Sequence, residues 1–297
     1  MEKINVAVVH GIGNEKAGYS NNLSGGVLRE FDMQLKSILK AEDDYSSEIQ
    51  FKEILWEDIV SKNQKKLEEI LAASETPLVR GKGLWQMCRY FFQAGIRNLR
   101  RTFTPEAICD IIGYRDPVVC SKIHQRVLGE INSIWQDSEN SNLTLIGHSL
   151  GTVIAYDFVF EQQQKSNDLR LSNLFTLGSP LAIFVLQYEG TLFKEPVELE
   201  DPHGRWVNVY DKDDPIAYQL KPLDGAYNKA VLADCAVDTG PFGAAHLFYW
   251  GNRDVHKIIG RKLAIDWISL NKKLSSQEIE KLYKDYDGNL GLGKETN

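Results

Sequence analysis

Leu143-Thr144-Leu145-Ile146-Gly147-His148-Ser149-Leu150-Gly151-Thr152-Val153-Ile154-Ala155-Tyr156 is an apolar run, a Gly-x-Ser-x-Gly pentapeptide and a second apolar run. The first run has the length and composition of a buried strand, and the second continues as a buried helix. A serine held at the tip of a sharp strand-to-helix turn needs a strained backbone and neighbours without side chains two residues before and two after it. Gly147 and Gly151 meet that need. Average composition gives roughly 0.1 chance matches to this pentapeptide in a chain of such length, before the flanking strand and helix are required. The stretch therefore points to a nucleophile elbow with Ser149 as its nucleophile.

Outward from the elbow, strands and helices alternate. A β-branched run over 4–9 ends in His10-Gly11-Ile12-Gly13, and a helix is expected over 23–39 and a strand over 49–55. Residues 56–135 read as helices with no convincing strand, a long insertion expected to act as a lid. Beyond the elbow come strands over 174–177, 205–210 and 230–237 and a helix over 254–270. This alternation predicts an α/β-hydrolase fold, a mostly parallel sheet with helices on both faces, as one domain over 1–274. Residues 275–297 are expected to be a polar tail, a helical turn that frays.

The chain has 297 residues and a net charge of −7, which argues against a nucleic-acid partner. Cys88, Cys109, Cys120 and Cys235 have neither zinc-ligand spacing nor the density of a disulfide framework and read as reduced core thiols. Met1 to His10 lacks the basic and apolar regions of a signal peptide, and no segment is long enough to span a bilayer. The expected location is the cytoplasm.

A serine needs a base and an orienting acid, in the chain order Ser, acid, His. Beyond Ser149 only His203, His246 and His256 remain. His203 has no acid well placed before it, and His256 falls on a helical face. His246 lies in the small-residue loop Gly243-Ala244-Ala245-His246-Leu247, suited to presenting an imidazole. The strand ending at Tyr210 runs into Asp211-Lys212-Asp213-Asp214-Pro215, where a triad carboxylate belongs. Asp214 is favoured because a residue before proline is held extended, with Asp211 and Asp213 as rivals that spacing does not separate.

The oxyanion donors expected are the amide of Leu150 and an amide from the first βα loop, that of Ile12, where Gly11 and Gly13 let the main chain bend. A dinucleotide loop is the competing reading of Gly11-Ile12-Gly13, but the third glycine position is Lys16. Ser179, in Gly178-Ser179-Pro180, lacks the flanking glycine spacing and reads as structural.

Several strings resemble, in order, the catalytic region of intracellular phospholipases A of the DDHD type. They are Asp110-Ile111-Ile112-Gly113-Tyr114, the helix over 123–135, the elbow, Leu177-Gly178-Ser179-Pro180-Leu181, Asn208-Val209-Tyr210-Asp211-Lys212-Asp213-Asp214-Pro215-Ile216-Ala217-Tyr218, and His246-Leu247-Phe248-Tyr249-Trp250. The resemblance covers about half the chain and implies Ser149, Asp214 and His246 as the triad. The family's four name-giving positions fall on Asp214, Asp234, His246 and Phe248, so the last acidic member is absent. The N-terminal and lid portions carry no such resemblance.

Within the insertion, Leu84, Cys88, Phe91, Phe92, Ile96 and Leu99 share one helical face over 84–101, with Arg89, Arg97, Arg100 and Arg101 gathered on the other. Such a helix suits either a lid packed on the domain or a peripheral contact with anionic membrane. Together these features predict a serine hydrolase of carboxylic esters, with a lipid or phospholipid ester leading and a small ester or thioester as the alternative. An inactive binding protein that keeps the elbow is the reading of another class. No cofactor and no metal are expected, because nucleophile, proton shuttle and fixed dipoles suffice.

Overall fold

The computed structural model describes residues 1–13, 15–60, 111, 113–134, 143–165, 171–187, 196–199, 202–242 and 244–290. Six strands form its sheet: β1 (Ile4–Val9), β2 (Ile49–Ile54), β3 (Leu143–His148), β4 (Asn173–Leu177), β5 (Arg205–Tyr210) and β6 (Val231–Ala236). Their order is β2-β1-β3-β4-β5-β6, and every neighbouring pair is parallel. Every residue of β1, β3 and β4 is buried, as unbroken apolar strands covered on both faces require.

The helices are α1 (Asn21–Leu39), α2 (Pro117–Asn132), α3 (Leu150–Gln164), α4 (Leu181–Gln187), α5 (Gly225–Ala230), α6 (Arg253–Leu270) and α7 (Ser276–Leu290). They divide between the two faces because strand side chains alternate. Ala7, Val9, Leu143, Leu145, Leu174 and Trp206 pack toward α2, α3 and the residues after them. Val6, Val8, Ile146, Phe175, Val207 and Val209 pack toward α1, α6 and α7. Helix α3 has little amphipathic character, with ten of its first eleven residues buried; a helix apolar all round must lie inside, and Ile123, Val127 and Ile131 of α2 join the same core.

Three expectations are corrected. Residues 275–297 are not simply a tail: Ser276–Leu290 is a helix whose Ile279, Tyr283 and Tyr286 are buried. It starts with a capping box in which Glu278 Oε2 accepts from the Ser275 amide (3.0 Å) and hydroxyl (2.6 Å) while the Glu278 amide returns to Ser275 Oγ. Its apolar stripe is narrow and mostly tyrosine, so composition makes it look like a polar tail. Helix α2 starts at Pro117 rather than 123, because Asp116 caps the amides of Val118 and Val119 (2.8 and 3.1 Å) ahead of a proline suited to the first turn. The expected His246 loop contains a turn of 3-10 helix, Ala245–Leu247. Of the expected insertion, 61–110 lies outside the described residues, and with it Cys88, Cys109 and the amphipathic helix over 84–101; Cys120 and Cys235 are free thiols.

β1 sends the chain to β2 on one side, and β3 is added on the other, so the connection direction reverses between β1 and β3. In open parallel sheets, ligands bind outside the carboxyl ends of the strands at such a reversal. Here that reversal lies between His10-Gly11 after β1 and Ser149 after β3.

Candidate active site

Ser149 sits between β3 and α3 with φ 54° and ψ −129°, a backbone that a non-glycine residue adopts only under strain. The surrounding structure enforces it. The Ser149 amide donates to Leu177 O (3.0 Å), and Ser149 O accepts from both the amide and the hydroxyl of Thr152 (2.9 and 2.7 Å). The two elbow glycines are sterically obligatory: a Cβ on Gly147 would lie 2.7 Å from Gly151 O and Thr152 Cα, and one on Gly151 would lie 2.3 Å from Val9 O and 2.4 Å from His10 O. The turn thus seats the start of α3 directly against the end of β1.

Gly11 borders the serine from the β1 side. A Cβ there would stand 2.6 Å from Ser149 Cβ and 3.1 Å from Ser149 Oγ, so only bare main chain fits. Gly13 has φ +119° and turns the loop; Ile12 between them is half-buried against the α3-side core. Leu150 is the first residue of α3, where an amide has no partner within the helix ladder. The loop is held from beyond: Glu53 at the end of β2 accepts from the Gly18 amide (2.6 Å) and from the Ser20 amide and hydroxyl (both 2.7 Å).

The loops after β5 and β6 bring the acid and the imidazole together. His246 Nδ1 lies 2.8 Å from Asp214 Oδ2, and both side chains are buried. Asp214 Oδ2 also accepts from Tyr249 Oη (2.9 Å), and Oδ1 from the Ile216 amide (3.1 Å). Burial pushes the Asp214 carboxyl up, but the hydrogen bond and charge of His246, with the Ile216 and Tyr249 donors, outweigh it and leave the group below its ordinary value. It is held ionised. With Nδ1 committed to the carboxylate, His246 Nε2 is buried and has no hydrogen-bond partner among the described residues.

The three aspartates are thereby separated. Asp211 turns away from the histidine and accepts from the Asp213 amide (2.8 Å) and from the amide and hydroxyl of Thr239 (2.5 and 2.7 Å). Asp213 is exposed. The remaining histidines are also assigned: His203 stacks on Tyr283 with ring centroids 3.9 Å apart, and His256 Nε2 lies 2.9 Å from Trp250 O on the α6 side. Ser179 is wholly buried against Thr152 Oγ1 (2.7 Å) and the Leu181 amide, as befits a structural residue.

His148 couples the elbow to the histidine loop. Its Nε2 donates to His246 O (2.9 Å), its ring stacks on that of His246 at 4.9 Å, and Trp250 lies 4.9 Å away on another side. Burial, with the neighbouring His246, lowers its pKa to about 3 despite the carbonyl bond. His10 is lowered to about 4, again by burial, although it hydrogen-bonds Gly11 O and feels Glu53. Both rings are neutral at pH 7 and work as fixed donors rather than competing bases. Sequence reasoning missed His148, Glu53 and Tyr249 as members of this arrangement. Tyr249 had a signal, the His-x-x-Tyr-Trp string, while Glu53 and His148 acquire neighbours only through strand order. Asp234, the second name-giving position, is a clamp: it accepts from Asn208 Nδ2 (2.7 Å) and from the amides of Leu220 and Lys221 (2.9 and 3.0 Å), closing the loop that carries Asp214. Phe248, at the fourth position, is 52% exposed and has no acid chemistry to offer. Among the described residues, no group of three or more His, Cys, Asp or Glu side chains is arranged to hold a metal ion.

No protein-family model matches the chain. It is similar to a protein named as a probable mitochondrial phospholipase of Saccharomyces cerevisiae, 26% identical over 162 residues, 48% of this chain and 22% of that protein. A protein named as a probable mitochondrial phospholipase of Schizosaccharomyces pombe is 26% identical over 159 residues, 43% of this chain and 20% of that one. Over 78 residues, 24% of the chain, it is 30% identical to the triacylglycerol hydrolase DDHD2 of Homo sapiens, of which the match covers 11%. The chain thus spans about a fifth or less of the length of these relatives. The location expected for this chain is the cytoplasm, whereas both yeast relatives are named mitochondrial; no described helix is long and apolar enough to cross a membrane.

Proposed function

We propose that this chain is a serine hydrolase of the α/β-hydrolase type that cleaves a lipid ester through an acyl-enzyme at Ser149. The observation that carries the reading is the buried Asp214–His246 pair, whose Nδ1 is committed and whose Nε2 is unpartnered, joined through His148 to the strained elbow that carries the serine. In this reading His246 Nε2 takes the Ser149 proton as the hydroxyl attacks the ester carbonyl. Asp214 stabilises the imidazolium that forms, and the amides of Leu150 and Ile12 receive the developing oxyanion. The imidazolium then protonates the departing alcohol. Water, deprotonated by the same ring, attacks the acyl-enzyme, and the collapse of the second tetrahedral intermediate returns the proton to Ser149. His246 Nε2 has no partner among the described residues, and in this reading the bond from Ser149 forms when substrate binds.

The lipid substrate class is supported by the names of the relatives, which include two phospholipases and a triacylglycerol hydrolase. A fluorophosphonate probe is expected to label the wild-type protein and not Ser149→Ala, and fatty acid release from dispersed phospholipid is expected to vanish with it. A wild-type protein that is folded yet unlabelled, and that hydrolyses neither long-chain nor short-chain esters, would sink the reading.

A further inference from the structure

Tyr249 is fully buried and its hydroxyl joins two parts of the acid loop: it donates to Asp214 Oδ2 (2.9 Å) and accepts from the Asp211 amide (2.8 Å). The oxygen it reaches is the one that accepts the proton of His246 Nδ1, so two donors share a single carboxylate oxygen. Space for the ring is made by Gly178, which has φ +57° and where a Cβ would lie 2.7 Å from Tyr249 Cε2. Tyr249 therefore packs against the turn after β4 while its hydroxyl bonds to the loop after β5 and its neighbour His246 carries the imidazole.

We infer that Tyr249 is a positioning residue that tunes the basicity of His246 by competing with it for the charge on Asp214 Oδ2. The inference rests on the hydrolytic reading of Ser149, His246 and Asp214 for its catalytic meaning, but the competition itself is a property of the folded protein. A carboxylate oxygen with two donors is a weaker acceptor for each than one with a single donor. Taking the hydroxyl away concentrates the charge of Asp214 on His246, stabilises the imidazolium and moves its titration upward. It also leaves the Asp211 amide without the Tyr249 acceptor, which loosens the loop. The other groups facing His246 act differently. His148 at the end of β3 touches it through a ring contact and a bond to its main-chain carbonyl, and burial keeps that ring neutral. His10, whose ring stacks on Trp56, is held neutral by burial too. Asp211 is occupied by the Asp213 amide and Thr239. Tyr249 is thus the one described side chain besides His246 that donates to Asp214.

The test is Tyr249→Phe, with Thr239→Val as a control that loosens the same loop without touching Asp214. The imidazole titration of His246 is followed by side-chain NMR, and the rate of fluorophosphonate labelling is followed across pH. Tyr249→Phe is expected to raise the His246 midpoint by roughly half to one pH unit, the size of a single hydrogen bond. The acidic limb of the labelling profile should move with it. Thr239→Val is expected to lower the thermal midpoint and leave the His246 titration where it was. A purely structural Tyr249 would give two destabilised variants with unchanged titrations, and that result overturns the inference, as does a shift of equal size in both. Should Tyr249→Phe lose its fold, wild-type labelled with ring-fluorinated tyrosine, whose hydroxyl is a stronger donor, must shift the His246 midpoint downward. Absence of wild-type labelling accompanied by the predicted NMR shift would defeat the hydrolytic reading alone.

Discussion

Asp214 and Asp266 are two acids at opposite ends of the sheet, each bonded to a nitrogen base and to a tyrosine hydroxyl. Asp214, beyond the carboxyl end of β5, accepts from a histidine and a tyrosine hydroxyl. Asp266, on α6, pairs with the wholly buried Lys262, accepts from Tyr283 Oη (2.8 Å), and receives Asn173 Nδ2 (2.7 Å) from the amino end of β4. The difference lies in what remains after the bonds are made. Lys262 and Asp266 are four residues apart on one helix, and their partners pin α7 and β4 in place. The Asp214 pair is built from two separate loops, and its imidazole keeps a second nitrogen buried and without a partner among the described residues. Buried charge surrounded by partners makes a rivet, whereas a buried carboxylate that holds a ring with one unpartnered nitrogen suits the general-base role proposed for His246.

Substitution of each acid is the strongest way to break this contrast. Asp214→Asn is expected to lower kcat about 10⁴-fold, because the imidazole loses its orientation and its stabilised cation, with a smaller effect on folding. Asp266→Ala is expected to do the reverse, costing about 3–5 kcal/mol by stranding Lys262 in the core, while activity per folded molecule is unchanged. Urea unfolding and active-site titration of both variants check the pair. A large activity loss in Asp266→Ala at full occupancy of the fold would erase the distinction.

Acid should distinguish the two ends next. His10 and His148 have folded-state pKa values lowered to about 4 and about 3 from 6.5, so between pH 6.5 and those values the unfolded chain binds protons that the folded protein refuses. Stability is therefore intact above pH 6.5 and falls as the pH drops through that window, by on the order of 3 kcal/mol for His10 and about 5 kcal/mol for His148. Lys262 is also lowered by burial, but its unfolded reference lies at 10.5, so its contribution to the slope falls at alkaline pH. Hydrogen exchange at pH 5 against pH 7 should rise first in the loops after β1 and β3, and His148→Gln should flatten the acid slope of urea stability. Equal loosening of α6 and α7 would count against this account. At the small end of the scale, Asp213→Asn is expected to change kcat/KM less than about twofold, because the side chain is exposed and bonded to neither His246 nor Ser149. A larger loss in a steady-state assay would reopen the choice of acid.

Much of the α/β architecture was legible because its signals are local. An unbroken apolar strand such as Leu143-Thr144-Leu145-Ile146 and a helix apolar on all sides such as Leu150–Gln164 announce burial by composition alone, and both occur as expected. The final helix was not legible in this way, since Ile279, Tyr283 and Tyr286 form a thin stripe in a polar segment, although the Ser275-to-Glu278 capping box was there to be read. The elbow glycines were legible because the demand for missing side chains is made within five residues.

What the sequence determined by itself is the alternation of strand and helix, the elbow at Ser149 and a short roster of acids and histidines in suitable loops. What only the tertiary structure decided is which of them meet: Asp214 rather than Asp211 or Asp213, His246 rather than His203 or His256, and Tyr249 on the carboxylate between them. The physical reason is range. Periodicity and steric demands act over a few residues and are written in neighbouring letters, whereas the direction a carboxylate faces depends on strand order, on the turn that Gly178 makes for Tyr249, and on donors that arrive from loops far apart in the chain.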